Sequence, residues 1–150
     1  MYLRHRTLVK NWDFTPPEER YEVTVRKGGA LDTNIDPARV TYVVENMGYW
    51  YNADAIHGWF VDNVLDEMDW GQEACVTRAQ LRALLSTVRE VLADHSKAEV
   101  LLPTRDEYFF GVSEVDDFYF EELEETERIL SSCDLEDEGD EYEYSYQGCW

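Results

Sequence analysis

Cysteine is scarce and poorly spaced for cross-linking. The chain holds three, Cys75, Cys133 and Cys149, an odd number with no CxxC pair. That pattern argues against a disulfide framework and reads as reduced thiols. The three histidines are equally dispersed, which excludes the tight ligand pairs of a zinc site. Nothing local activates Cys75 as a catalytic thiolate. No apolar run approaches the ~18 residues of a membrane span, and the N-terminus has no apolar signal-peptide core. A cytoplasmic protein is the expectation from these absences.

Basic residues are the other shortage. Against 33 Asp and Glu stand 13 Lys and Arg, a formal net charge of −20. The imbalance is uneven: residues 1–103 carry 16 acidic and 11 basic groups, residues 104–150 carry 17 and 2. Such a field repels nucleic-acid phosphates and anionic membranes and attracts basic partners. Direct nucleic-acid and membrane binding are therefore not expected. The plainest use of the charge is a solubilising face; the sharper one is an acidic surface that competes for a basic protein.

What is present argues for a folded domain. In 150 residues, 44% are apolar and 14% aromatic, enough to build a continuous core. The organising stretch is Tyr49–Met68, which concentrates Trp50, His57 and Trp59. On a helix, Tyr49, Ala53, Ile56, Phe60 and Val64 form an apolar stripe, widened by Trp50, His57 and Val61. Arg78–Ala93 predicts a second helix. Thr77 and Gln80 form a capping box before it, and Leu81, Leu84, Leu85, Val88 and Leu92 share one face. A third helix is predicted after an N-cap at Ser113, with Val115, Phe118, Tyr119, Thr126, Ile129 and Leu130 inward and Glu122 inside that face.

Strands are expected at Leu8–Phe14 and Tyr21–Arg26, the latter closed by a Gly28-Gly29 turn. Val40–Val44 fits strand or helix, and Asn46–Gly48 reads as a break. Ala98–Leu102 and Tyr108–Phe110 fit a hairpin. Asp134–Glu143 holds seven carboxylates in ten residues, out of register with a 12-residue calcium loop. The segment predicts an acidic tail that projects or docks loosely, while the alternating Tyr142, Tyr144 and Tyr146 and the terminal Trp150 leave room for an edge strand or a partner-binding peptide. The expected architecture is α+β: three main helices on a small, mostly antiparallel sheet over residues 1–133, then a tail over 134–150.

Two groups of residues are candidates for function. His57 lies in the apolar arc and needs polar partners for its ring nitrogens. Glu122 is the expected partner, either as a structural pair or as a general base in a pocket with Trp50 and Tyr119. Neither a nucleophile nor a substrate-positioning cation stands beside them, so an enzyme is the alternative reading. Asn52, Trp59 and Asn63 form the second group, an aromatic edged by amides as at protein interfaces. The tail carboxylates Glu136, Asp137, Glu138, Asp140 and Glu141 extend it. No metal or cofactor is expected.

Three segments, GYWYNADAIHGWFV (48–61), LLPTRDEYFFG (101–111) and VDDFYFEELEETERIL (115–130), resemble a family of small uncharacterised bacteriophage and bacterial proteins. That family has a YW…A-IH-WFV helix and an LLPT…FFG hairpin. The resemblance spans roughly residues 40–130 and implies a phage or prophage context without implying an activity. Tyr51 and Asn52 stand where relatives carry basic residues, and Glu107-Tyr108 where a glycine is common. The resulting expectation is an acidic protein-binding or regulatory module, one form of which mimics nucleic-acid charge toward a basic partner. Homo-oligomerisation through Trp59 or the tail is a further expectation.

Overall fold

The structure is a computed structural model that describes residues 1–65, 71–105, 114–136 and 143–148. In chain order the elements are β1 (Tyr2–Leu8), β2 (Arg26–Lys27), β3 (Ala30–Leu31), β4 (Tyr42–Tyr49), α1 (Asp54–Asn63), β5 (Glu73–Val76), α2 (Arg78–Ala93), α3 (Ala98–Leu101), α4 (Asp117–Ser131) and β6 (Tyr144–Gln147). Among the described residues, one sheet has the order β4-β1-β6-β5 and a second is the β2–β3 pair. The chain separates into two units, Met1–His5 with Asn46–Trp150, and Arg6–Glu45.

The first unit holds the core. α2 forms where predicted. The Thr77 hydroxyl accepts the Gln80 amide and the Gln80 side chain accepts the Thr77 amide, while Leu81, Leu84, Leu85, Val88 and Val91 are buried. Period and cap agree here, which makes this the most regular helix. α4 packs beside it with Tyr119, Leu123, Thr126, Ile129 and Leu130 buried. Its cap is Asp116, whose carboxylate accepts the Tyr119 amide at 3.0 Å. The expected cap, Ser113, lies outside the described residues, as do Tyr108–Phe110.

β6 overturns the expectation of a loosely docked tail. It pairs antiparallel with β1 on one side and β5 on the other, so it is an inner strand. Tyr144 and Tyr146 are 2% and 0% exposed and share the face of their partners Leu3, His5, Ala74 and Val76. Ser145 and Gln147 alternate to the other face, where the Arg4 guanidinium donates to the Gln147 side chain at 2.9 Å and the Ser145 hydroxyl donates to Glu73. Two arginines of α2 fasten the acidic run at its ends. Arg78 donates to the Asp134 carbonyl at 2.9 Å and to the Glu143 carboxylate and lies over the Tyr144 ring, and Arg82 donates to the Leu135 carbonyl. Pairing charge and filling the core together outweigh the repulsion that suggested a free tail.

The fold is α+β with a small antiparallel sheet, and it carries four α-helices among the described residues where three were expected. The addition is α3, in a segment expected to be a strand. A run this short is ambiguous by periodicity, and Asp94 decides it. Its carboxylate accepts the Ser96 amide and starts a turn at His95–Lys97 that continues into α3. Asn46–Gly48 is strand, not a break. A Cβ at Gly48 would sit 2.5 Å from the Ile129 side chain, so glycine is there for close approach. No helix of the described residues is long and apolar enough to cross a membrane.

The second unit, Arg6–Glu45, is irregular. Gly28 and Gly29 have φ of +60° and +85° and make the expected turn, now between β2 and β3. The strand expected at Leu8–Phe14 does not form: β1 lies before it and ends at Leu8, and Thr15 closes a turn on Trp12 through both its amide and its hydroxyl. Tyr21–Val25 lies outside the ladders. Asn11 pairs with the Tyr21 backbone through both its amide groups, at 2.8 and 3.0 Å, a side chain standing in for a strand. Val9 alone is fully buried in this unit.

Candidate functional site

α1 begins at Asp54, five residues later than the Tyr49 start predicted. Asn52 has φ of +59°, in the left-handed region where asparagine is tolerated, and this kink separates the Tyr49 end of β4 from the helix. The three residues of the expected amide-edged patch are therefore not brought together. Asn52 precedes the helix, while the Asn63 amide donates to the Trp59 carbonyl at 2.7 Å at its far end. Trp59 is half-buried, edge-on to Phe60 at 5.4 Å.

His57 is 0% exposed and does not pair with Glu122. Its Nδ1 lies 2.6 Å from the Tyr146 hydroxyl, while the Tyr146 ring stacks on Phe60 at 3.8 Å. The partner comes from β6, 89 residues away. His57 thus belongs to the core layer between α1 and the sheet, and the polar pair satisfies one ring nitrogen where solvent cannot.

Glu122 instead lines a cleft of about 170 Å³ with Asn52, Asp54, Glu114, Asp116, Phe118 and Tyr119. Four of these seven residues are acidic and none is basic. Two of the acids sit at helix starts, Asp54 in the first turn of α1 and Asp116 at the cap of α4, where the helix dipoles favour negative charge. Asp54 is buried, and its carboxylate accepts the amides of Ala55 at 2.9 Å and Arg105 at 3.1 Å. The Arg105 side chain crosses α1 at Gly58, where a Cβ would lie 2.9 Å from its Nε, and reaches Asp62. Phe118, expected inward, is 73% exposed on the rim. At the floor the Tyr119 hydroxyl donates to the Leu102 carbonyl at 2.8 Å, and burial together with Asp54 pushes its pKa up to about 12.

Burial, reinforced by Asp54 and Asp116, pushes the Glu122 carboxyl from 4.5 up to about 7. Its charged form is disfavoured in the fold, so between these values the folded chain holds a proton that the unfolded chain has released. The stability from this group is complete below pH 4.5 and is lost as pH rises to about 7. Glu122→Gln, neutral throughout, is expected to melt higher than wild type above pH 7, with the gap narrowing below it and closing by pH 4.5. Paired thermal melts across that range check this.

Of the cleft acids the sequence singles out Glu122 alone; its grouping with Asp54, Glu114 and Asp116 arises where the start of α1 meets α4. A local hint was the pair of acidic helix starts. Of the tail carboxylates, Glu136 is exposed, and Asp137, Glu138, Asp140 and Glu141 lie outside the described residues. Compared with known proteins, the chain matches no family model, no curated protein and no solved structure.

Proposed function

We propose that this chain is an acidic protein-binding module that receives a basic side chain of its partner in the cleft between α1 and α4. The observation that carries the reading is the lining of that cleft: four acidic residues, no cation, and the exposed Phe118 ring beside them. A lysine or arginine entering there gains charge-assisted hydrogen bonds to carboxylates and aromatic contact for its stem. Its charge would also favour the ionised Glu122 carboxylate, offsetting the burial and the repulsion from Asp54 and Asp116 that push its pKa up. Among the described residues, no group of three or more His, Cys, Asp or Glu converges tightly enough for a metal ion, so an extended organic cation suits the site better. The charge of −20 steers such a partner from a distance, and competition with nucleic acid for it is the form of mimicry this predicts. A cytoplasmic location belongs to this proposal and is supported by the dispersed cysteines, of which Cys75 and Cys133 are free thiols; the phage or prophage context rests on the resemblance of residues 40–130 alone.

The test is calorimetric titration of the full chain with a short peptide rich in lysine and arginine, at low and moderate salt. The expected result is 1:1 binding that weakens steeply with salt. Replacing Asp116 and Glu122 together by lysine should weaken it about tenfold to a hundredfold, while Glu18→Lys with Glu19→Lys in the other unit should leave it within about twofold. Absence of binding at both salt levels, or equal loss from the two double variants, would refute the reading.

A further inference from the structure

The Arg6–Glu45 unit has a composition that the acidic cleft does not explain. Nine of the thirteen large apolar side chains exposed among the described residues lie in it, Phe14 at 81%, Leu31 at 66% and Val44 at 54% among them. Trp12 and Phe14 stack on each other at 5.6 Å with both rings open to solvent. Forty residues that bury only Val9 gain little burial to offset the entropy of ordering them. The unit also contains an open edge: β4 ends the sheet order, and its residues Tyr42–Glu45 are exposed on both faces. Tyr42–Val44 holds neither lysine nor proline, and an apolar edge strand of this kind is a template for another strand.

Charge selects the occupant. The unit carries six basic and seven acidic side chains, net −1, whereas the remainder carries seven and 26, net −19. A strongly basic partner is drawn to the remainder, and an acidic one is repelled by it. A unit of near-zero net charge around an apolar strand suits a twofold contact with an identical surface. It is also the face by which two copies approach with least repulsion. We infer that Arg6–Glu45 is a self-association arm, whose β4 segment Tyr42–Glu45 pairs antiparallel with the same segment of a second copy. The pairing is twofold and uses the β4 edge of each copy, so no β4 edge is left for a third chain and the contact closes as a dimer.

Sedimentation equilibrium of the full chain over the micromolar range tests this. A dimer is expected, with Val44→Lys raising its dissociation constant about tenfold or more and leaving the circular dichroism unchanged. Phe14→Ser provides a second variant away from the backbone ladder, expected to weaken the dimer as well. A wild-type monomer at every concentration, a larger assembly, or a dimer indifferent to both substitutions would overturn the inference. The peptide titration of the cleft reads a different surface, so the two results are separable.

Discussion

Removing residues 143–150 is expected to abolish cooperative folding, although the segment follows a run of seven carboxylates in ten residues. The deletion withdraws an inner strand, so the facing edges of β1 and β5 lose their ladder. It also empties the core of two aromatic rings. Tyr146 stacks on Phe60 at 3.8 Å and meets His57 at 2.6 Å; Tyr144 lies against His5 at 4.8 Å and beneath Arg78. Each buried aromatic is worth about 3–5 kcal/mol on truncation to alanine, and a domain has only about 5–15 kcal/mol in total. Tyr146→Ala alone should therefore remove much of the stability, and Tyr146→Phe, which keeps the ring and loses the bond to His57, about 1–3 kcal/mol. Urea denaturation followed by circular dichroism orders the three chains. A truncated chain that melts as cooperatively as wild type would show that β6 is an accessory strand.

The strand was hard to see because its signals point two ways. Tyrosine alternating with Glu143, Ser145 and Gln147 is the pattern of a half-buried strand, but the carboxylates before it argue for solvent. The decision lies in tertiary pairings with Arg78 and with β1, about 65 and 143 residues away in sequence. Where local signals agree, the sequence was legible: the Thr77–Gln80 box with its leucine face gives α2, and Gly28-Gly29 gives a turn. His57 was rightly placed in the apolar arc, yet its partner Tyr146 belonged to a segment thought external. The helix wheel also ran too far. Counting from Tyr49 placed Asn52, Trp59 and Asn63 on one flank, a grouping that fails once Asn52 turns the chain at φ +59°. Asp54 and Asp116 are visible as helix-start residues and Glu122 as an acid on an apolar face, but they become neighbours only where the start of α1 meets α4.

Trp50→Ala is expected to cost about 3–5 kcal/mol, because the side chain is buried where the end of β4, α1 and α4 meet. Trp50 follows β4, and its backbone is tied to Met1 in both directions, the Trp50 amide to the Met1 carbonyl at 3.0 Å and the Met1 nitrogen to the Trp50 carbonyl at 2.9 Å. Its ring is 3% exposed and stands 6.0 Å from that of Phe60 on α1. The indole N–H donates to the Thr126 hydroxyl at 2.8 Å, and that hydroxyl donates in turn to the Glu122 carbonyl at 2.7 Å. One side chain thereby fixes the end of β4 against α1 and against the turn of α4 that carries the cleft acid Glu122. Trp50→Phe keeps most of the ring volume and loses the donor, so it should cost about 1 kcal/mol. Because that variant frees the α4 turn without emptying the core, it should also weaken the peptide titration more than its small loss of stability would suggest. Equal urea midpoints for Trp50→Ala and Trp50→Phe would refute the packing part of this account. Unchanged peptide affinity in Trp50→Phe would refute the link from the core to the cleft.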